Sequence, residues 1–281
     1  MTTMPAPGGA PVVVGVDHSR LSRTAVRLAA REAALRSRPL RIVHAFNWVG
    51  DPSAARDEQP RRTSEQLIDL AVALAIEAQP GIATTAALIE GPVVTTLLRE
   101  SGSAALLVVG DGGPTDDTSV LADATSVKLA ARAGCSVLVA RESPPAAGPV
   151  LVGVDDSTSS LSVLGFAFDT ATRRAAELIV VEPWSPDERP GDTPDEAAER
   201  LAEAVTPWRQ RYPSVPVSQY VRPGDPKAAL VEEAGRAELV VVSARGEPVH
   251  GRLGAVSQTM LYHSPAPVVV VRSPHEVYIQ E

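Results

Sequence analysis

The residues with the clearest chemical potential lie between an apolar run and a helix-like segment near the C-terminus. The run Leu239–Val242 ends in Ser243, and the following loop carries Arg245 and Gly246 before Gly254 opens the helix. Unpaired backbone N–H groups and the positive end of a helix dipole converge at such a junction. Glycine allows close backbone approach, and guanidinium groups suit phosphate oxygens. The sequence therefore predicts a site for a nucleotide or another small anion, with a solvated surface turn as the alternative.

A second copy of this plan occurs in the N-terminal half, with the opposite charge. The loop keeps Gly110 and Gly113, contains no Lys or Arg, and carries Asp111, Asp116, Asp117 and Asp123. Two unit charges about 4 Å apart repel by roughly 4 kcal/mol at an effective dielectric of 20. A carboxylate at a helix start also satisfies the N–H groups that a phosphate would use, so Asp123 is predicted to be an N-cap. We expect this copy to be degenerate, unless Mg²⁺ bound by the aspartates reverses the repulsion.

Two further acids, Asp17 and Asp155, each end a short apolar run. They could accept hydrogen bonds from a ribose or an adenine, or they could cap the helix that follows. The chain has no GxxxxGK[ST], no GxGxxG after its first strand and no GxSxG, so hydrolase, dehydrogenase and esterase functions have no motif in their favour.

The elements that position these residues form a repeat. Val13–Asp17 recurs as Leu151–Asp155 at an offset of 138 residues, and Trp184 is taken as the counterpart of Trp48. Each half alternates short strands with helices, which predicts a parallel sheet covered by helices on both faces. Ligands of such sheets bind at the carboxyl ends of the strands, where the strand order reverses. We expect two domains, 11–141 and 149–273, with a linker at 142–148 and tails at 1–10 and 274–281.

Composition restricts the class of protein. A chain of 281 residues with 44% hydrophobic residues can fill two ordinary cores. The net charge of −8 argues against a nucleic-acid partner. No apolar run approaches the roughly 20 residues of a membrane helix, and the N-terminus has no signal-peptide pattern. The single Cys135 cannot form an internal disulfide, so a cytoplasmic location is expected.

These residues in this order resemble the universal stress protein family in its tandem form. The carriers are GVDHS at 15–19, GVDDS at 153–157, the GDP at 224–226 and the final VVVR at 269–272. The resemblance implies two Rossmann-like domains of strand order 3-2-1-4-5, paired through their fifth strands, and further homo-oligomerisation. The family's nucleotide-binding pattern is Gly, two residues, Gly, nine residues, Gly, then Ser or Thr.

Both copies of that pattern are damaged here. The N-terminal copy has Asp123 and an alanine where Gly and Ser are expected, and the C-terminal copy has Ser243 for the first Gly and a loop two residues too short. Ser126 and Ser257 match a further hydroxyl position. The resemblance implies a regulatory stress protein, binding ATP with Mg²⁺ or another adenine nucleotide at most in the C-terminal domain. An interaction scaffold without ligand is the first alternative, and a slow ATPase or phosphotransferase using Asp17 or Asp155 is the last.

Overall fold

The chain divides into two compact units, Met1–Glu142 and Ser143–Glu281. The computed structural model describes residues 9–46, 58–110, 124–142, 147–155, 159–186, 191–244 and 253–272. Within each unit five strands alternate with helices, and every strand pair is parallel. The predicted fold class, two tandem doubly wound α/β domains, is confirmed.

The first unit has the strand order β3-β2-β1-β4-β5. Its strands are β1 (Val12–Gly15), β2 (Leu40–Phe46), β3 (Thr84–Glu90), β4 (Leu106–Val109) and β5 (Val137–Val139). Its helices are α1 (Arg20–Leu35), α2 (Glu58–Ala78), α3 (Val93–Ser101) and α4 (Thr125–Arg132).

The second unit repeats this topology, with the order β8-β7-β6-β9-β10. Its strands are β6 (Val150–Gly153), β7 (Leu178–Trp184), β8 (Val217–Pro223), β9 (Leu239–Ser243) and β10 (Val268–Val271). Its helices are α5 (Ser159–Arg174), α6 (Pro194–Arg211), α7 (Pro226–Ala234) and α8 (Ala255–His263).

The inner strands are short apolar runs because both of their faces are covered. Val12, Val13 and Val14 of β1 have no solvent exposure, as expected for parallel strands between two helix layers. Helix α1 packs on α2, and α3 packs on α4. The chain order reverses between β1 and β4, and again between β6 and β9. The carboxyl ends of these two strand pairs are therefore the expected ligand edges.

A glycine at the end of the first strand of each unit has a packing reason. A Cβ on Gly15 would lie 2.8 Å from Cδ1 of Leu97, and a Cβ on Gly153 would lie 2.8 Å from Cδ1 of Leu230. The leucines come from the equivalent helices α3 and α7, which cross directly over the strand ends. Part of the repeated GVD motif therefore exists for helix–sheet packing.

Strand β7 contains a proline near its end. The strand continues through Pro183 to Trp184, although proline is uncommon inside a strand. Beyond Val181, β7 pairs only with β8, so a proline without an N–H donor can be accommodated there. Trp184 is the seventh residue of β7 as Phe46 is of β2. The counterpart of Trp184 is therefore Phe46; the predicted counterpart, Trp48, lies outside the described residues.

Candidate functional site

Both units build the turn after the first strand in the same way. The backbone N–H of Asp17 donates to Oγ of Ser22 at 3.1 Å, and that of Asp155 donates to Oγ of Ser160 at 3.2 Å. Each serine lies five residues after its aspartate, on the helix that follows. The turn thereby holds an exposed aspartate at the carboxyl end of the first strand. Sequence reasoning named the aspartates but missed the serines.

The structure decides how α1 is capped. Ser19 is the N-cap, and its Oγ accepts from the backbone N–H of Ser22 at 3.2 Å. The carboxylate of Asp17 accepts instead from the N–H of Ser19 at 2.9 Å, so it shapes the turn and does not cap the helix. In the second unit, Oδ1 of Asp155 accepts from the hydroxyl of Ser160 at 2.9 Å. The capping alternative for Asp17 is therefore wrong.

Gly110 lies at the end of β4, where the first unit leaves no room for a side chain. A Cβ at this position would lie 3.2 Å from Cβ of Leu21 and 3.4 Å from the backbone nitrogen of Ser22. The glycine thus lets the end of β4 approach the first turn of α1 closely. The equivalent residue in the second unit is Ser243, which carries a side chain at the end of β9.

Three predicted residues of the second unit, Ser243, Gly254 and Ser257, lie together. The hydroxyl of Ser257 donates to the backbone oxygen of Ser243 at 2.5 Å, and the N–H of Gly254 donates to the backbone oxygen of Ala244 at 3.2 Å. These bonds fix the start of α8 against the end of β9. Strand β6, which Asp155 follows, pairs directly with β9, and paired strands lie roughly 4.8 Å apart. Asp155 is therefore at the same edge of the sheet as the end of β9.

The helices that follow β4 and β9 both begin without a capping side chain. Ala124 is the N-cap of α4 and Gly254 is the N-cap of α8, and neither makes a side-chain cap hydrogen bond. The prediction of Asp123 as the N-cap is therefore wrong, because the helix begins one residue later. Ser126 is buried in the first turn of α4, with 2% of its surface exposed. The first N–H groups of both helices remain suited to an acceptor from outside the helix.

The other predicted site residues fall outside the described residues. In the second unit these are Arg245 and Gly246, and in the first unit Gly113 and Asp123. The expected effect of the opposite loop charges on anion binding therefore stays a prediction. Among the described residues, no group of three His, Cys, Asp or Glu side chains is placed to hold a metal ion.

The two edges also differ in a buried polar residue near the end of the second strand of each unit. His44 in β2 is buried, and its Nδ1 donates to the backbone oxygen of Val16 at 2.8 Å. The equivalent residue in β7 is Glu182, 3% exposed, with its Oε1 3.6 Å from Nη2 of Arg200. Arg200 in turn forms two 2.8 Å hydrogen bonds to the carboxylate of Asp192. The signal in the sequence was a single acid at the end of an apolar strand, LIVVE.

Comparison with known proteins identifies the family of this chain. The model of the universal stress protein family matches residues 10–141 and 147–272. The chain belongs to this family. Universal stress protein Rv2005c of Mycobacterium tuberculosis is similar to it, with 35% identity over 285 residues, covering 93% of this chain and 96% of the relative.

Solved structures show the same architecture. The crystal structure of a universal stress protein from Archaeoglobus fulgidus has a TM-score of 0.76 at 18% identity, and covers 94% of this chain and 96% of that chain. A shorter family member from Archaeoglobus fulgidus was solved in complex with dAMP; it matches 45% of this chain and 98% of that one, at 23% identity and a TM-score of 0.38. Among the described residues, this universal stress protein has no helix with the length and apolar character to cross a membrane.

Proposed function

We propose that this universal stress protein is a regulatory protein that binds ATP, with Mg²⁺, or another adenine nucleotide in its C-terminal domain. The site consists of Asp155, Ser243, Arg245, Gly246, Gly254 and Ser257. The N-terminal site, with Asp17, Gly110, Gly113 and Ser126, is degenerate. The domain limits 11–141 and 149–273, the cytoplasmic location, the pairing of fifth strands and the homo-oligomer stay predictions.

One observation carries the proposal. The N–H of Gly254 is held against Ala244 at the end of β9, one strand away from the exposed Asp155. A helix start without a capping side chain offers N–H groups and positive dipole charge to a phosphate. An acid one strand away suits the hydroxyl or amino groups of the nucleoside. Arg245, two residues after Ser243 in the sequence, carries a guanidinium charge complementary to the phosphates.

A specific observation favours the scaffold as the second candidate. The hydroxyl of Ser257 already donates to Ser243, and Ser243 has a side chain where the family pattern has glycine. While this hydrogen bond persists, the Ser257 hydroxyl cannot also donate to a phosphate oxygen. A protein with two inactive sites would act only through its surfaces.

Binding of labelled ATP to the full chain, with and without Mg²⁺, separates the two candidates. We expect one saturable site per chain, which Asp155→Ala weakens by about tenfold, corresponding to about 1.4 kcal/mol. Asp17→Ala is the matched control at the equivalent turn and leaves binding unchanged. Absence of saturable binding at millimolar ATP would favour the scaffold. ATP turnover that disappears in Asp155→Ala would instead favour the slow ATPase.

A second pair of variants tests the position of the phosphates. Gly254→Asp places a carboxylate at the N-cap of α8, where it stabilises the helix by only a few tenths of a kcal/mol relative to glycine and competes with the phosphates for the same N–H groups. We expect ATP binding to be lost in a protein that is at least as stable. Ala124→Asp makes the same change at the N-cap of α4 and should leave ATP binding intact. ATP binding that survives Gly254→Asp would show that the phosphates lie elsewhere.

A further inference from the structure

A cavity of about 210 Å³ lies between α1 and α2 in the first unit. Apart from Asp17 at its rim, it shares no residue with the proposed C-terminal nucleotide site or with the degenerate N-terminal site. The residues that line it are Asp17, His18, Ser19, Ser22, Arg23, Val26, Thr63, Gln66, Leu67, Leu70, Ala71 and Leu74. Polar residues gather at the N-terminal ends of the two lining segments, and apolar residues follow further along each helix.

Ser22 supplies a buried hydroxyl to the polar end of this cavity. Its side chain is 5% exposed, and its Oγ accepts from the N–H of Asp17 at 3.1 Å. Within the described part of the chain, the Ser22 hydroxyl donates to no acceptor. The equivalent Ser160 behaves differently, because its hydroxyl lies 2.5 Å from the backbone oxygen and 2.9 Å from Oδ1 of Asp155. The first unit therefore keeps a donor that a ligand can use.

Charge at the polar end is balanced so as to accept one negative charge. Arg23 is exposed, and its guanidinium makes no ion pair or hydrogen bond with another residue that the structure describes. Asp17 is the acid at the rim, and its Oδ1 accepts from the N–H of Ser19. The remaining polar side chains each carry an N–H or O–H group; they are those of His18, Ser19, Thr63 and Gln66. A monovalent anion beside Arg23 meets mostly donors, whereas a second negative charge would be opposed by Asp17.

The rest of the cavity is apolar and of limited length. It is formed by Val26 of α1 and by Leu67, Leu70, Ala71 and Leu74 of α2. Leu70 is a large hydrophobic residue left 45% exposed, and an apolar ligand lying on it would remove that surface from water. At about 30 Å³ per water-sized group, the cavity holds about seven such groups.

From these observations we propose that the cavity binds a short-chain monocarboxylate of about five carbons, whose roughly seven carbon and oxygen atoms match this volume. The carboxylate lies between the guanidinium of Arg23 and the hydroxyl of Ser22. The chain runs between the helices against Val26, Leu70 and Leu74. The second unit has Leu161, 60% exposed, at the place of Arg23, so the site is confined to the first unit.

Titration of the full chain with pentanoate by isothermal calorimetry tests this proposal. We expect one site per chain and a dissociation constant about two- to fivefold higher for Arg23→Gln, the loss expected for a single ion pair at an exposed site. Arg27→Gln is the matched control, because Arg27 is exposed on the next turn of α1 and does not line the cavity. Leu70→Glu, on the exposed wall, should abolish binding by placing a second carboxylate there.

Ligand variants test the two ends separately. Acetate should bind at least about tenfold more weakly, because it buries fewer methylene groups. Pentanol, with the same chain but no charge, should bind the wild-type chain more weakly than pentanoate does, and should bind Arg23→Gln as well as pentanoate does. The proposal is overturned by the absence of saturable pentanoate binding, by equal binding of pentanol and pentanoate to the wild type, or by binding that survives Leu70→Glu.

Discussion

Arg36 and Arg174 occupy equivalent places at the ends of α1 and α5, but their carboxylate partners come from different elements. Nε of Arg36 lies 3.0 Å from Oε2 of Glu32, one turn earlier in the same helix. Nη1 of Arg174 lies 2.8 Å from Oε1 of Glu238, which directly precedes β9. Thr170 stands at the place of Glu32, and its buried Oγ1 has no hydrogen-bond partner among the described residues. The two units have exchanged the position of the acid.

This exchange predicts a loss of stability and its rescue. In Glu238→Ala the side chain of Arg174, 1% exposed, stays buried without its acid, which costs about 3–5 kcal/mol of unfolding free energy. Adding Thr170→Glu returns a carboxylate one turn before the arginine. Ala105 occupies the place of Glu238 in the first unit, so the double variant reproduces the arrangement of the first unit. We expect it to regain about half of the loss or more.

Urea unfolding followed by tryptophan fluorescence measures both effects. In a Trp48→Phe background the remaining tryptophans, Trp184 and Trp208, both report on the second unit. Asp169→Ala is the matched control: Arg173 and Asp169 form a 2.7 Å pair in the same helix with side chains 38% and 34% exposed, and its loss should cost less than about 1 kcal/mol. The reasoning is refuted if Glu238→Ala costs no more than this control, or if Thr170→Glu lowers stability further.

Three other perturbations have defined outcomes. Gly15→Ala and Gly153→Ala should each lower the unfolding free energy by about 1–3 kcal/mol in urea titrations, because the new Cβ would lie 2.8 Å from a leucine; an unchanged midpoint would contradict the packing reason. Gly165→Ala would place a Cβ 2.6 Å from the Trp208 ring, and should shift the fluorescence of that tryptophan as well as lower stability. Burial, aided by the hydrogen bond and charge of Glu233, raises the pKa of the Tyr220 phenol above 10.0. The folded state therefore keeps a proton that the unfolded state loses, so stability should fall as the pH rises from 10.0 through the folded pKa; Tyr220→Phe should reduce this slope.

The fold could be predicted because its determinants are local and occur twice. The apolar run before Asp17 recurs before Asp155, and strand–helix alternation with right-handed crossovers leaves few topologies. The N-cap of α1 is Ser19, a residue type that is favoured at this position. Each of these signals lies within a few residues of the element that it specifies.

The features that escaped prediction depend on contacts between distant residues or on small shifts. Arg174 and Glu238 are 64 residues apart in sequence, so nothing local marks Glu238 as a partner. The start of α4 moved by one residue, from Asp123 to Ala124, because side-chain preference alone does not separate neighbouring N-cap positions. β7 extended through Pro183 because its pairing partner on one side ends earlier, which is a property of the sheet and not of the strand.

The carboxyl edges of the two sheets differ in chemistry, while the helix–sheet packing beside them is equivalent. Gly15 and Gly153 meet the same kind of leucine contact, but the end of β2 has a histidine bonded to a backbone carbonyl where β7 has an acid paired with Arg200. A histidine whose Nδ1 donates to a carbonyl presents its other ring nitrogen as an acceptor when neutral. A carboxylate paired with a guanidinium presents a different pattern of charge and donors. Two edges with such different charges and donors are not expected to bind the same ligand with equal affinity. This difference supports the proposal of one nucleotide site per chain.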